Sequence, residues 1–279
     1  MSVFWQSDDA TLHLGDSLAV MGGWADGSVD AIVSSPEYAD QRRYAHGANT
    51  PPDAFAKHLS PFLAEMLRVL TPTGSLMLNL GVIMRKGEES PYADEVLSTA
   101  RAMGWKLLHR MVWHKSNPLP LSHPDYLTIG HEWVFWLAPT TKVYRGYDAD
   151  TRAPHSAASV RRINDPYMRS KDEKYKKRGK TNTLHPDGAR PTTVRTFAVG
   201  STRGLKHPAP MPLELAKYLV SLSCPPGGVV LDPFCGSGTS LVAARSRGRR
   251  SVGIDITEDY LLEASGRLSV APLAFGAAS

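Results

Sequence analysis

A doubly wound α/β fold is the architecture this sequence predicts, and three observations carry it. Short apolar runs alternate with segments of helical spacing along most of the chain. One such run closes on Asp232 before a glycine-bearing turn at Gly236 and Gly238, and the next run, after an intervening helix, closes on Asp255. The chain has 279 residues, 42% of them hydrophobic, enough to bury a full core as one large α/β domain or as one domain carrying an insertion.

In chain order, strands are expected at 11–15, 29–34, 75–80, 106–113, 132–138, 229–232 and 251–255, where β-branched and aromatic residues cluster in short runs. The run 29–34 must stop near Ser34, because Pro36 cannot continue a sheet ladder. It leaves Ser35, Pro36, Glu37 and Tyr38 at the strand's exposed end, where open α/β sheets bind ligands. Between the strands, Phe55, Leu59, Phe62, Leu63, Met66, Leu67 and Leu70 fall on one helical face, with Ser60-Pro61 expected to restart that helix, Ser as N-cap and Pro at the first position. Further helices are expected over 92–103, 212–223, 239–247 with Gly248 as the stop, and 258–268. No internal repeat is present.

Neither the first residues, MSVFWQSDDA, nor any later stretch has the pattern of a secretory signal or reaches the ~18 apolar residues of a spanning helix, so a cytoplasmic protein without membrane contact is expected. Two cysteines, Cys224 and Cys235, lack the spacing of a metal site or a disulfide framework and read as small buried residues; no metal is expected. Charge is distributed unevenly. Residues 142–206 hold 16 Lys or Arg against 6 Asp or Glu, which puts +10 on this segment and −5 on the rest of a chain whose net charge is +5. RRINDPYMRSKDEKYKKRGK within it has too few apolar residues for a core of its own and reads as a solvated insertion. Tyr144, Tyr147, Tyr167 and Tyr175 are interleaved with the cations, a mixture suited to a polyanion.

VVLDPFCGSGTSLVAARSRGRRSVGIDI supplies the sharpest local signal. Glycines at 236 and 238 let backbone approach a ligand closely, and the strand-end acid Asp255 is placed to hold two ribose hydroxyls. The turn is not G-x-G-x-x-G, which argues against a dinucleotide and an oxidoreductase. Asp232 ahead of the turn suits a cationic amino group and would repel a pyrophosphate.

DPFCGSGTS resembles the S-adenosylmethionine loop of the DNA amino-methyltransferases, and SSPEY resembles their catalytic motif, Ser/Asp/Asn-Pro-Pro followed by an aromatic residue. The likeness extends through LHLGDSL, RVLTPTGSLMLNLG, VWHKSNPLPLSHPDYLTIGHEWVFWLAP and HPAPMPLELAKYLVSLSCPPGGVVLDPF, and the catalytic motif precedes the cofactor motif, the order of the β group of that family. What the resemblance implies is a Rossmann-like methyltransferase sheet with circularly ordered motifs. Residues 1–140 would be its catalytic half, 141–206 a basic target-recognition insertion, 207–270 its cofactor-binding half and 271–279 a tail. S-adenosylmethionine would be held by Asp232, Phe234, Gly236, Gly238 and Thr239, by Asp255 at the ribose, by Asp16 at the adenine amine, and by the segment opening at His207 and Pro208. The implied partner is double-stranded DNA, contacted by Arg42, Arg43, Lys174, Lys176, Lys177 and Arg178; a cognate restriction endonuclease is compatible with the family, and the oligomeric state is open.

The residues of SSPEY fit the chemistry. An exocyclic amine on a base is a poor nucleophile because its lone pair is delocalised into the ring. Acceptors aimed at its two N–H groups, the Ser35 hydroxyl and the Pro36 carbonyl, would favour a pyramidal nitrogen, while Tyr38 stacks on a base flipped out of the duplex. In the family, Ser at the first motif position leans toward the N4 amine of cytosine; N6 of adenine is the alternative. Glu37 stands where a second proline is usual and keeps open a third reading, an inactive relative that binds DNA and cofactor. Arg42 or Arg43 is the expected partner for its charge. An RNA or protein methyltransferase on the same cofactor fold is the further alternative.

Overall fold

The computed structural model describes residues 3–37, 39, 50–120, 123, 125–164, 184–200 and 210–270. The chain divides into two compact units, one of residues 1–145 and 193–279, the other of residues 146–192.

The strands of the larger unit are β1 (Val3–Gln6), β2 (Ala10–Leu14), β3 (Val29–Ser34), β4 (Leu70–Leu80), the short β5 (Met84–Arg85) and β6 (Glu88–Glu89), β7 (Lys106–Lys115), β8 (His131–Ala138), β9 (Val194–Phe197), β10 (Val229–Asp232) and β11 (Arg250–Asp255). Its described helices are α1 (Ser17–Met21), α2 (Pro52–Val69), α3 (Tyr92–Ala102), α5 (Leu213–Ser223), α6 (Thr239–Ser246) and α7 (Glu258–Ser269). Among the described residues, nine strands form one sheet in the order β1-β2-β11-β10-β3-β4-β8-β7-β9, and β5 and β6 pair as a separate hairpin. The central run β2-β11-β10-β3-β4 is parallel, and β8 joins β4 antiparallel. The chain's first and last core strands are thus neighbours: β2 pairs with β11, Leu14 opposite Asp255.

Both faces are covered, as a parallel sheet requires. On one, Met21 of α1, Phe55, Leu63 and Met66 of α2 and Tyr92 and Val96 of α3 close over Leu76, Leu78, Leu80, Phe135 and Leu137. On the other, α5 meets β3 and β4, and Leu241 of α6 and Leu261 and Leu268 of α7 bury Leu12 and Cys235.

The helix break expected at Ser60-Pro61 does not occur; α2 runs continuously with Pro61 inside it. A proline in a helix interior costs ~3 kcal/mol. Burial of Phe55, Leu59, Phe62, Leu63, Met66 and Val69 on one face offsets it, since each such side chain contributes about 1.5–3 kcal/mol. Strand β4 starts at Leu70, earlier than the expected 75, because Leu70 pairs with Val29; the register then slips before Ala31 meets Ser75, and the slip takes up Pro72 and Gly74. The insertion expected over 141–206 includes β9, which pairs with β7 through Val112 opposite Val194 to Lys115 opposite Phe197. Four residues with alternating exposure at a sheet edge gave too weak a pattern to read as a strand.

The smaller unit carries the helix α4 (Ala157–Asn164), and Ala153 and Ala189 form a bridge. Beside that bridge Arg152 donates through Nε to the Tyr147 carbonyl and through Nη1 to the Gly188 carbonyl, both at 2.8 Å. Arg190 lies over the Tyr147 ring, 5.7 Å from its centroid.

Candidate active site

From β3 the chain crosses to β4 on one side, and from β10 it crosses to β11 on the other, so a topological switch point falls between β3 and β10. Their carboxyl ends diverge into a crevice, the usual ligand position of such sheets. Four loops meet there: Ser35-Pro36-Glu37 after β3, Pro233 to Gly238 after β10, the turn after Asp255, and Gly15-Asp16 after β2. Hydrogen bonds join them. Gly15 N donates to the Asp255 carbonyl at 3.0 Å, Ser17 Oγ to the Pro233 carbonyl, and Gly236 N to Asp255 Oδ2 at 2.8 Å.

An open cleft lies between these loops, and Ser35, Asp232, Phe234, Ser237 and Thr239 line it together with Met211. The Asp232 carboxylate is 5% exposed. Its Oδ1 accepts from Ser34 Oγ at 2.7 Å and from Phe234 N at 3.1 Å, and its Oδ2 accepts from Ser240 Oγ. Burial pushes this carboxyl up to about 6, against the three donors, which favour the charged form. Asp255 Oδ1 accepts from Thr257 N at 2.8 Å. The Phe234 ring rests on Phe62, centroids 5.0 Å apart. Asp16 is exposed and caps α1, its Oδ1 accepting from Ala19 N at 3.0 Å.

Glycine at 238 is required twice over. Its φ of 75° lies in the left-handed region, and a Cβ there would stand 2.9 Å from the Ala264 Cβ of α7. From α7, Arg267 Nη1 donates to the Ser237 carbonyl at 2.6 Å, to Ser237 Oγ at 3.1 Å and to Thr239 Oγ1 at 3.0 Å. Burial holds this guanidinium below its ordinary range. Cys235, beside the cleft, has its thiol raised well above the usual value by burial and then by the charges of Asp255 and Asp232, and burial pushes Cys224 up to about 12. Both thiols are free and buried, and neither is a nucleophile at neutral pH.

The structure therefore brings Ser35, Asp232, Phe234 and Thr239 onto one cleft, with Gly236 and Gly238 in the loop that shapes it, Asp255 at the end of β11 bonded to that loop, and Asp16 on the adjoining turn. Tyr38, Arg42, Arg43, Lys174, Lys176, Lys177, Arg178, His207 and Pro208 lie outside the described residues. Glu37 approaches His58 of α2, with Oε1 and Nε2 3.9 Å apart. Sequence reasoning missed Arg267 and the buried pair Asn79 and Glu132 behind Ser35. Polar residues inside the apolar runs LMLNLG and HEWVFW were the signal for the latter two; nothing local marks Arg267.

Carboxylates at the ends of β10 and β11 and on the turn after β2 make an acceptor-rich rim. It suits a ligand with hydroxyls and positive charge and opposes phosphate. A nucleoside carrying a sulfonium and an ammonium, as S-adenosylmethionine does, fits that donor and acceptor set.

The DNA methylase family model, of the N6/N4 methyltransferase type, matches residues 29–265. The Type II methyltransferase M.Cfr9I of Citrobacter freundii is 29% identical over 93% of this chain and 87% of its own length. Among solved structures, the PvuII DNA methyltransferase (cytosine-N4-specific) superposes with a TM-score of 0.70 at 18% identity, covering 95% of this chain and 89% of its own. The M1.HpyAVI complex with S-adenosylmethionine gives 0.61 at 17% identity, covering 94% and 100%.

Proposed function

The chain belongs to the DNA methylase family, and from that premise we propose that it transfers a methyl group from S-adenosylmethionine to the N4 amine of a cytosine flipped out of duplex DNA. One observation carries this reading: Ser35, the first residue of the SSPEY motif, lines the same cleft as Asp232, Phe234 and Thr239 of the glycine loop. Acceptor and cofactor loop face one space, as direct transfer between two bound groups needs. The serine at this motif position supports cytosine over adenine, and the PvuII enzyme, whose fold this chain shares, is itself cytosine-N4-specific.

In this reading Asp255 and Asp16 hold the ribose hydroxyls and the adenine amine, Phe234 packs on the ring, and Asp232 faces the positive end of the cofactor. His207 and Pro208 begin the segment that reaches the cleft at Pro210 and Met211. Bound there, S-adenosylmethionine supplies an electrophilic methyl on a sulfonium, so the protein need provide neither a metal nor a covalent intermediate. The Ser35 hydroxyl and the Pro36 carbonyl each accept one N–H of the target amine and localise its lone pair toward the cleft. Pro36 is buried and holds Ser35 extended, which fixes the spacing of the two acceptors. Tyr38 stacks on the base. Glu37, beside His58, takes no part in the transfer and is a tolerated replacement for proline. Residues 141–206, with Arg42 and Arg43, serve target recognition, and a cognate restriction endonuclease belongs to the same reading.

The test is incubation with labelled S-adenosylmethionine and mixed-sequence duplex DNA, followed by digestion to nucleosides. N4-methylcytosine is the expected product. N6-methyladenine would move the target amine to adenine. Binding of DNA and cofactor without methylation, with activity appearing in Glu37→Pro, would make the protein an inactive binder.

A further inference from the structure

Behind Ser35, a row of polar side chains crosses the sheet in a region otherwise filled with apolar residues. The register sets Ser34 opposite Leu78, Asn79 opposite Val134 and Trp113 opposite Glu132, so Asn79, Glu132 and Lys115 stand on the consecutive strands β4, β8 and β7 at the cleft end, and Ser35 lies just past the end of the adjoining β3. Leu78 and Leu80 point into the core under α2, so Asn79 between them lies on the opposite face. Asn79 is 1% exposed and Glu132 5%. Lys115 Nζ lies 3.0 Å from Glu132 Oε1, and Asn79 Nδ2 donates to Glu132 Oε2 at 2.7 Å and reaches Ser35 Oγ at 3.4 Å. The lysine is held in turn over the Trp113 ring, 5.4 Å from its centroid, while Trp113 Nε1 donates to the Phe197 carbonyl of β9 at 3.0 Å.

We propose that Lys115, Glu132 and Asn79 form a positioning relay that sets the Ser35 hydroxyl as an acceptor for the target amine; this rests on the role given to Ser35 above. A carboxylate accepts hydrogen bonds and donates none, so Glu132 selects the orientation of the Asn79 amide in which the NH₂ end faces it. The second hydrogen of that NH₂ is then directed at Ser35. A serine oxygen has two lone pairs, and with Asn79 occupying one, the other is left in a defined direction for an N–H of the base. Lys115 fixes the carboxylate that fixes the amide. The 3.4 Å separation suits a contact that tightens when the second acceptor position is filled, as site hydrogen bonds do on substrate binding.

Stability does not account for this row. Buried ion pairs are commonly no more stabilising than apolar residues of the same volume, and Asn79 Oδ1 is left buried without a hydrogen-bond partner among the described residues. A fold selected for stability alone would place an apolar side chain there.

The closing experiment measures single-turnover methyl transfer, cofactor affinity by calorimetry and thermal midpoint for Glu132→Gln, Asn79→Leu and Ser35→Ala, and for each of the first two combined with Ser35→Ala. Asn79→Leu keeps the branched outline of the side chain and removes the amide, so it serves if Glu132→Gln fails to fold. Each relay variant is expected to slow transfer 10- to 100-fold with cofactor affinity within twofold of wild type. In the Ser35→Ala background neither should slow transfer further, because the relay acts only through that hydroxyl. Transfer at the wild-type rate in Asn79→Leu, or losses that multiply with that of Ser35→Ala, would overturn the relay while leaving the methyltransferase reading intact. Wild-type transfer undiminished by Ser35→Ala would instead remove Ser35 from the chemistry, and the relay with it.

Discussion

Asp232 is a residue whose placement works against the free protein. In the unfolded chain its carboxyl titrates near 3.8, and in the fold near 6, so the folded state binds the proton more tightly between those values. Stability conferred by Asp232 therefore falls as pH rises from about 4 to about 6, and the cost is fully present above 6. It amounts to about 3 kcal/mol by the usual conversion of such a difference. Asp232→Asn should accordingly raise the urea midpoint at pH 7.5 relative to wild type and leave it little changed, or lower it, at pH 4.5; a lower midpoint at both values would contradict the assignment. The same charge should serve the ligand. Cofactor affinity, read by calorimetry, is expected to fall in the wild type as pH drops through about 6 and to be weak and nearly pH-independent in Asp232→Asn.

Among the elements, α7 does more than cover the sheet. Its Arg267 reaches two oxygens of Ser237 in the loop after β10 and one of Thr239 at the start of α6, and its Ala264 leaves room for no side chain at Gly238. Arg267→Met keeps much of the aliphatic packing and removes the three donated bonds, leaving buried acceptors without partners. A cofactor affinity about tenfold lower is expected, equivalent to about 1.4 kcal/mol, with a smaller loss of thermal stability than that ratio alone would suggest for a core position. Unchanged affinity by calorimetry would show that the loop keeps its shape without the helix. The two halves of the site differ in how far they could be read from sequence. Asp232, Gly236, Gly238, Thr239 and Asp255 sit at strand ends and turns, where residue type and spacing report backbone geometry directly. Arg267, Asn79 and Glu132 act across 28, 44 and 53 residues of sequence respectively, and no local pattern records such partners.

At the scale of the molecule, charge is segregated: residues 142–206 carry +10 while the rest carries −5. Phosphate contacts release counterions, so DNA affinity should fall steeply with salt, with log Kd rising linearly in log salt concentration. Reversing the charges of Lys174, Lys176, Lys177 and Arg178 together should weaken binding at least tenfold at 0.1 M salt and flatten the salt slope, without altering cofactor affinity. A salt-independent Kd in a filter-binding titration, or full binding by the reversed variant, would assign DNA contact to another part of the chain. The order of motifs also belongs to this scale. The SSPEY and DPFCGSG segments are far apart in sequence, yet Ser34 Oγ donates to Asp232 Oδ1 across 198 residues because β3 and β10 are sheet neighbours.

By itself the sequence determined the fold class, the alternation of most core strands and helices, the end of β3 at Ser34 and the glycine turn after β10, because strand period, proline, glycine and strand-end acids express constraints that operate over a few residues. It misjudged Pro61, where a long buried face outweighs a local breaker, and it passed over β9, whose pattern is too short to stand out. Only the tertiary structure decided that His58 comes near Glu37, that the Asp232 carboxylate is buried deeply enough to shift its titration, and that a lysine, a glutamate and an asparagine stand in line behind Ser35. Those outcomes depend on which strands become neighbours and in what register, and pairing of that kind is settled by the packing of the whole core rather than by any segment of it.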